Sequence, residues 1–299
     1  MKRCGASVFI YLHSPCYFLY MNDVPGLRSA TGSEKQSVSV LGCGWFGLPF
    51  ARELVLSGYR VLGSSTSESK RPVLQEAGIE PFVLNFPEGT LSEADLDFFK
   101  SEVLFIAIPP RRKEGKSSEY LKKIKRICQY ASAGGVEHVV LISSTGVFPN
   151  ANRAFNELDI PVPDNEGSRA LQEAEREIAG YPFSSTVIRF GGLIGEGRDP
   201  GRLFAGKTGI ANGQAPVNLI WLSDCIGICK AIIEQKAFGH VYHACSPDHP
   251  SRAEFYTRSA IRSGLPAPEF NNELLNWKII DSVNPTRVLS YSVREKLTE

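Results

Sequence analysis

The chain has 299 residues, of which 42% are hydrophobic, and its 33 basic and 32 acidic side chains leave a net charge of +1. This length and apolar content allow one large domain or two modest ones with a substantial core. The charge balance gives no electrostatic basis for binding nucleic acid or an anionic membrane surface. No run in the sequence reaches the ~18 apolar residues of a membrane-spanning helix.

The first 36 residues do not share the pattern of the rest of the chain. They begin like a weak signal peptide, with Lys2 and Arg3 ahead of an apolar run. Pro15 interrupts that run, no small-residue cleavage site follows, and Met21 offers a second start. We therefore expect residues 1–36 to be a disordered or over-annotated extension.

Seven apolar runs have the character of strands that are covered on both faces. They span residues 37–41, 59–64, 81–86, 103–108, 138–144, 185–190 and 240–245. Helical patterns lie between several of them, at about 47–57, 117–133 and 166–179. This alternation predicts an α/β fold, a Rossmann doubly wound parallel sheet, over residues 37–190. We expect residues 191–299 to form a small C-terminal substrate lobe that returns the strand 240–245 to the sheet.

A glycine turn joins the first predicted strand to the first predicted helix. Gly42, Gly44 and Gly47 have the G-x-G-x-x-G spacing. In such a turn one glycine permits the sharp bend, the next lets backbone approach a pyrophosphate, and the third lets the helix pack on the strand. The helix N-terminus adds free N–H groups and a partial positive charge. The pattern predicts a dinucleotide site that includes Trp45 and Phe46, against the alternative of a purely structural turn.

The segment after the second predicted strand bears on which dinucleotide binds. An NAD site usually carries an Asp or Glu about 20 residues beyond the glycines, on the ribose 2′-hydroxyl. Here hydroxyls come first, and Glu68 is the first carboxylate. Hydroxyls and cations suit a 2′-phosphate, so NADP is favoured and NAD stays open, the alternative being a solvated loop. The predicted contacts are Ser64, Ser65, Thr66, Lys70 and Arg71.

The fourth predicted strand runs into I-A-I-P-P-R-R. Small and imino residues at a strand end let the backbone lie close to a cofactor, so we expect Ala107, Pro109 and Pro110 to line it. Arg111 and Arg112 are candidates for a substrate anion, because arginine offers a bidentate fork to carboxylate or phosphate. The alternative is that this basic run forms the exposed face of a helix.

Three further motifs complete a resemblance. They are H-V-V-L-I-S-S-T-G-V-F, I-R-F-G-G-L-I-G-E-G-R-D-P-G-R and N-L-I-W-L-S-D-C-I-G. With the glycine turn, they resemble the extended short-chain dehydrogenase/reductase family, of the NAD-dependent epimerase/dehydratase kind, and most of all its atypical YeeZ-like NAD(P)-binding branch. The resemblance covers residues 38–292. It implies that Ser144, next to a cofactor-lining Ser143, faces the substrate, and that Arg198 and Arg202 bind it.

The resemblance also implies a Tyr-x-x-x-Lys acid–base pair on the helix after the fifth strand, which this chain lacks. Alignment on Glu175 puts Gly167 and Leu171 at the two positions, and none of the ten tyrosines has a lysine four residues later. Three outcomes stay open: another acid acts, a polarised carbonyl and hydride delivery suffice, or the protein is a non-catalytic NADP sensor or regulator. The candidate acids are Ser144 with Thr145, Lys207 and Glu166; the hydroxyls have the alternative role of capping backbone.

The remaining candidates have structural interpretations. The seven cysteines include no C-x-x-C pair, which fits a reducing cytoplasm and neither a disulfide framework nor a zinc site. Cys225 and Cys229, one helical turn apart, read as small buried hydrophobes. We expect Glu157 and Asp159 to face water, and no metal to be shared by His240, His243 and His249. The sequence thus predicts an NAD(P)-dependent oxidoreductase for a small polar, anionic carbonyl or sugar compound, and does not indicate the oligomeric state.

Overall fold

A parallel sheet of seven strands organises the chain in a computed structural model, which describes residues 36–86, 91–110 and 117–298. Its strands and those of two small sheets are β1 Ser37–Leu41, β2 Arg60–Ser65, β3 Glu80–Val83, β4 Val103–Ile106, β5 His138–Ser144, β6 Arg153–Phe155, β7 Ser184–Phe190, β8 Gly192–Ile194, β9 Leu219–Trp221, β10 Val241–Ala244 and β11 Lys278–Ile280. The helices are α1 Gly47–Leu56, α2 Arg71–Glu76, α3 Glu93–Leu96, α4 Ser117–Gly134, α5 Glu166–Ile178, α6 Leu222–Glu234, α7 Arg252–Arg262 and α8 Asn284–Leu289.

The order of the strands confirms the doubly wound sheet. It runs β3-β2-β1-β4-β5-β7-β10, and each neighbouring pair is parallel. The chain winds outward from β1 in one direction through β2 and β3, and in the other direction from β4 to β10. Ligands of open α/β sheets bind where this direction reverses, at the carboxyl ends of the strands. In this sheet that point is the crevice between β1 and β4.

Apolar side chains form a core on each face of the sheet. On one face Phe50 of α1 and Ile228 of α6 lie in a cluster with strand residues. On the other face Ile124 of α4 and Ala174 of α5 do the same. The strands are therefore apolar nearly throughout, as the sequence indicated.

Two small parallel sheets extend this framework. The strand β8 begins two residues after β7 and pairs with β9, and β6 follows β5 and pairs with β11. Because both follow the ends of central strands, they bring distant parts of the chain to the carboxyl edge of the main sheet. No helix among the described residues is both long and apolar enough to cross a membrane.

Some expectations fall on residues outside the described ranges or are refined within them. The predicted extension, apart from Gln36, and both Arg111 and Arg112 lie outside the described residues. Cys225 and Cys229 are fully buried in the core, which confirms their structural interpretation.

Candidate cofactor and substrate site

The glycine turn has a different steric constraint at each of its three glycines. Gly42 has φ +102°, a conformation that side chains rarely adopt. A Cβ at Gly44 would meet no atom within 4 Å, so open space lies beside this backbone. A Cβ at Gly47 would lie 2.2 Å from the carbonyl oxygen of Gly42, so only glycine lets α1 pack this closely on the turn. Turn, open approach and close packing are what a pyrophosphate-binding loop requires.

A cavity of about 240 Å³ opens beside this turn. The ends of β1, β2, β3 and β4 and the first two turns of α4 contribute its lining: Leu41, Gly42, Ser64, Ser65, Thr66, Leu84, Asn85, Phe86, Ile108, Pro109, Glu119, Tyr120 and Lys123. The predicted Gly42, Ser65, Thr66 and Pro109 are thus brought together. Sequence reasoning missed Tyr120 and the other residues from β3 and α4.

Tyr120, one of the lining residues, carries an unsatisfied donor. Its hydroxyl is buried and has no hydrogen-bond partner among the described residues. Burial, and then the nearby Glu175 carboxylate, raise the pKa of this hydroxyl, which therefore keeps its proton. An unpaired buried donor costs about 1–3 kcal/mol and calls for a partner such as water or a ligand. Tyr120 and Lys123 are three residues apart and share a helix face. This spacing is visible in the sequence and could have indicated that the two side chains lie together.

The residues predicted to hold a 2′-phosphate have unequal freedom. The strand β2 reaches Ser65, beyond the predicted end at residue 64, and the Ser64 hydroxyl accepts the N–H of Gly42 at 3.0 Å. Ser64 is therefore buried and fixes the glycine turn. The Arg71 guanidinium lies 2.6 Å from the Glu68 carboxylate and also donates to the carbonyl of Pro81. Thr66 and Lys70 are exposed.

Trp45 connects the glycine turn to the loop after β8. Its indole N–H donates to the carbonyl of Glu196 at 2.7 Å, and the Arg198 guanidinium carbon lies 4.2 Å from its ring centroid. A predicted cofactor residue and a predicted substrate residue are therefore in contact. Phe46 instead packs its side chain against Phe190 and Phe50 in the core, so only its backbone is available to a cofactor.

The end of β4 lies against the glycine turn. A Cβ at Gly42 would lie 3.1 Å from the carbonyl oxygen of Ala107 and 3.0 Å from the side chain of Ile108. Pro109 lines the cavity and is exposed, and Pro110 is half-buried. The small residues at this strand end thus leave room for the turn, as the sequence analysis expected for close backbone approach.

The serine proposed to face substrate begins a tight turn at the end of β5. Ser144 is half-buried, and its hydroxyl oxygen accepts the backbone N–H of Gly146 at 3.0 Å. It caps the single 3-10 turn Thr145–Val147, in which the Thr145 side chain is buried. The geometry therefore matches the alternative in which this hydroxyl caps backbone. The Ser144 hydroxyl accepts one hydrogen bond in this role and can still donate its own proton in another.

The helix α5 carries apolar packing where the related family would carry its acid–base pair. Gly167 is exposed in the first turn. Leu171 is buried with Val147, Phe148 and other apolar residues, in a small cluster beneath the turn after β5. A lysine could not occupy this position without burying its charge among apolar groups.

A buried polar network continues from Ser143. The Ser143 hydroxyl donates to the Glu175 carboxylate at 2.6 Å, and Arg189 of β7 forms an ion pair with that carboxylate at 2.7 Å. Arg189 also lies 3.3 Å from a ring nitrogen of His243 on β10. Ser143 is thus tied into the interior, and the sequence analysis missed this network because its members lie on four separate elements.

His243 is held neutral in this network. Burial is the main reason why the pKa of its imidazole is lowered to about 4. The Glu157 carboxylate raises this pKa, and the Arg189 charge lowers it. The other ring nitrogen lies 3.1 Å from the carbonyl oxygen of Asp281. His249 has a ring nitrogen 2.9 Å from the carbonyl oxygen of Val217, a separate contact.

The expectation that Glu157 and Asp159 face water is wrong. The Glu157 carboxylate accepts the backbone N–H groups of His243, Val283 and Asn284, at 3.0 to 3.1 Å. Asp159 pairs with Arg153 at 2.8 Å and accepts the N–H of Asn156. Both carboxylates satisfy backbone donors of the loops, which a polar sequence pattern does not distinguish from solvation.

The remaining candidates lie in the C-terminal part of the chain or on the surface. The Lys207 amine donates to the carbonyl of Leu203 at 3.0 Å. Arg202 is exposed and lies 3.7 Å from Asp199, and Glu166 is exposed at the start of α5. Within the described ranges, no contact joins Lys207 or Glu166 to the turn at Ser144.

Sequence comparison identifies relatives that match different shares of the chain. The chain is similar to Protein YeeZ of Escherichia coli K12, with 34% identity over 251 residues, covering 82% of this chain and 91% of that protein. It is also similar to a 3-diazoavenalumate denitrifying reductase of a Streptomyces species, with 29% identity over 132 residues, covering 40% of this chain and 43% of that protein. No protein-family model matches the sequence.

Solved structures share the fold at low sequence identity. A UDP-glucuronic acid 4-epimerase from Bacillus cereus, in complex with NAD, superimposes with a TM-score of 0.73 at 16% identity, over 88% of this chain and 95% of that one. A short-chain dehydrogenase/reductase superfamily protein from Agrobacterium tumefaciens with bound NAD gives a TM-score of 0.71 at 14% identity, over 88% and 94%.

Proposed function

The chain belongs to the family of YeeZ-like proteins with the short-chain dehydrogenase/reductase type of fold, and from this premise we propose that it is an NAD(P)-dependent oxidoreductase. Its substrate is a small polar, anionic carbonyl or sugar compound, bound between the sheet edge and a substrate lobe formed by residues 191–299. The glycine turn carries this proposal. Open space at Gly44 lies next to a helix N-terminus and to a cavity that Tyr120, with its unpartnered buried hydroxyl, helps to line.

We assign the cofactor to the turn and the cavity together. The backbone of Gly42, Gly44 and Gly47 and the N-terminus of α1 would hold the pyrophosphate. The cavity that contains Tyr120 and Lys123 would take the adenosine half. When bound, a nicotinamide cofactor supplies or accepts the hydride.

We favour NADP over NAD because of the side chains that line the cavity. Ser65 and Thr66 contribute hydroxyls, and Lys123 of α4 contributes a cation. The nearest carboxylate after β2, that of Glu68, is neutralised by Arg71. A 2′-phosphate would find donors and positive charge there.

We place the substrate anion near the loop after β8. Arg198 lies over Trp45, whose backbone is part of the glycine turn, so a substrate held by Arg198 would lie beside the cofactor. Arg202 is exposed on the same loop. Solved structures with this fold include a UDP-sugar epimerase, and a charged sugar derivative fits a loop with these cations.

One observation favours a second candidate, a non-catalytic NADP-binding sensor or regulator. Leu171 is part of an apolar cluster where the family's lysine would stand, and Gly167 offers no side chain. A protein that only binds the cofactor needs neither acid nor base. The two candidates differ in whether NADPH is consumed.

Titration with NADPH and NADH tests the proposal. We expect NADPH to bind at micromolar concentration and to quench tryptophan fluorescence, because Trp45 lies in the turn. The variant Gly44→Ala should fold normally, since its Cβ meets no atom within 4 Å, and should bind NADPH about 10-fold or more weakly, a loss of about 1.4 kcal/mol. Gly180→Ala, in the loop after α5, is the matched control and should bind like the wild type.

Failure of both cofactors to bind below millimolar concentration would disprove the dinucleotide site. Equal affinity for NADH would remove only the preference for NADP. Oxidation of NADPH with a panel of small aldehydes, ketones and keto acids separates the enzyme from the sensor, and Ser144→Ala should then lower kcat while the Kd for NADPH stays unchanged.

A further inference from the structure

A lysine from the C-terminal part of the chain reaches the end of β5. Lys278 lies on β11, which pairs with β6, and its amine donates to the carbonyl oxygen of Thr145 at 3.0 Å and to that of Phe148 at 2.5 Å. These two carbonyls belong to the turn that begins at Ser144. The amine is therefore held against the turn that follows Ser144, the serine proposed to face substrate.

The bonding of this amine leaves one donor for a ligand. A lysine ammonium has three N–H groups, and the two carbonyls take two of them. The third finds no acceptor among the residues that the structure describes. A half-buried ammonium fixed by two carbonyls has lost most of its side-chain freedom, so it is oriented before any ligand arrives.

The surroundings of Lys278 also favour loss of its proton. Burial lowers the pKa of the amine, while the carboxylate of Asp164 and then the thiol of Cys245 act in the opposite direction. A lowered pKa brings the amine closer to neutral pH, where proton transfer is most effective. Neither Lys207 nor Glu166 has a comparable contact with the turn after β5.

We propose that Lys278 is the proton donor to the substrate oxygen, taking the place of the tyrosine–lysine pair that this chain lacks. The proposal rests on the proposed oxidoreductase function. In reduction of a carbonyl compound, a bound nicotinamide cofactor would supply the hydride to the carbonyl carbon and would itself be oxidised. The N–H bond of Lys278 breaks as an O–H bond forms on the substrate oxygen, and the neutral amine regains a proton from water. The Ser144 hydroxyl orients that oxygen.

The variant Lys278→Arg separates this role from a structural one. Arginine keeps the positive charge and can donate to both carbonyls, but its guanidinium does not release a proton. We expect the variant to keep its melting temperature and its Kd for NADPH and to lose about 100-fold or more in kcat with a carbonyl substrate. Lys278→Met should lose activity equally and some stability. Lys100→Arg, on the exposed pair with Asp97, is the control and should keep full activity.

A second measurement does not depend on turnover. Competitive labelling with acetic anhydride over a range of pH, read by peptide mass spectrometry, should show Lys278 titrating below the ordinary range of a lysine amine. Bound NADP⁺ should slow labelling of Lys278. Titration of Lys278 in the ordinary lysine range, or full kcat in Lys278→Arg, overturns the proposal and leaves the oxidoreductase in place. If the wild-type protein binds NADPH but oxidises it with none of the carbonyl compounds in the panel, the proposed oxidoreductase function is disproved. The assignment of Lys278 as proton donor is then disproved with it.

Discussion

The two regions that flank the candidate site, one at the end of β1 and one around the ends of β5, β7 and β10, are built differently. At the end of β1, close packing of the backbone limits which residues fit, because Gly47 leaves no room for a single additional carbon atom. Among residues 36–86 no charged side chain is buried. Around the ends of β5, β7 and β10, the titratable side chains of Glu175, Arg189 and His243 are all buried. Here the need to pair charged and polar groups limits which residues fit.

This difference shows how the two halves of the site obtain their specificity. The cofactor half uses backbone in one short segment, so it needs glycines at fixed spacing and little else. The proposed reacting half uses side chains that are paired in the interior, and it draws them from β5, α5, β7, β10 and β11. Volume changes should damage the first half, whereas changes of charge or pH should damage the second.

Removal of one partner from the buried ion pair should have the largest effect. Glu175→Ala leaves the Arg189 guanidinium buried without its carboxylate, and we expect a loss of about 3–5 kcal/mol in the free energy of unfolding, measured in urea. The double variant Glu175→Leu with Arg189→Met should recover most of that loss, because it removes both charges. A double variant as unstable as the single one would show that packing, not charge, holds this region.

Acid should weaken the same region through His243. The pKa of the folded imidazole is about 4 against an ordinary 6.5, so the unfolded chain binds the proton first as pH falls. The stability that depends on neutral His243 is complete above about pH 6.5, falls between pH 6.5 and about 4, and does not fall further below that. The difference between wild type and His243→Gln over this window should approach roughly 3 kcal/mol, measured by urea denaturation at each pH. A parallel pH dependence in the two proteins would contradict it.

A single carbon atom should separate two glycines of the cofactor turn. Gly47→Ala places its Cβ 2.2 Å from a backbone oxygen, and we expect a cost of about 1–3 kcal/mol because the helix must move away from the turn. Gly44→Ala should change the free energy of unfolding by less than about 0.5 kcal/mol. If the two variants were equally stable to heat, the turn and the helix could make room for the added Cβ at Gly47 without cost.

The contact between the halves should have the smallest effect on stability. Arg198→Ala removes the guanidinium from the Trp45 ring, and a partly exposed cation–π contact contributes about 0.5–1 kcal/mol. We expect a small fall in melting temperature and a changed tryptophan emission, measured by fluorescence during heating. Arg202→Ala, on the same loop but 3.7 Å from Asp199, should leave that emission unchanged.

Local pattern was sufficient to predict the sheet and the cofactor turn. Each of the seven predicted strands forms, in a parallel sheet, because a strand covered on both faces needs a continuous apolar run that is visible in sequence. Strand ends were less certain: β2 continues one residue beyond its predicted end, to Ser65. The Ser64 hydroxyl, which looked available to a phosphate, instead accepts the backbone N–H of Gly42. Hydrogen bonds across strands decide such ends, and they involve residues that are not neighbours in the chain.

The sequence by itself determined the doubly wound sheet, the glycine turn and the lack of a Tyr-x-x-x-Lys pair, since each depends on residues within a few positions of one another. Only the tertiary structure decided that Trp45 meets Arg198, that Ser143, Glu175, Arg189 and His243 form one network, and that Lys278 reaches the turn at Ser144. The physical reason is that parallel strands gather their carboxyl ends at one edge, whatever the length of chain between them.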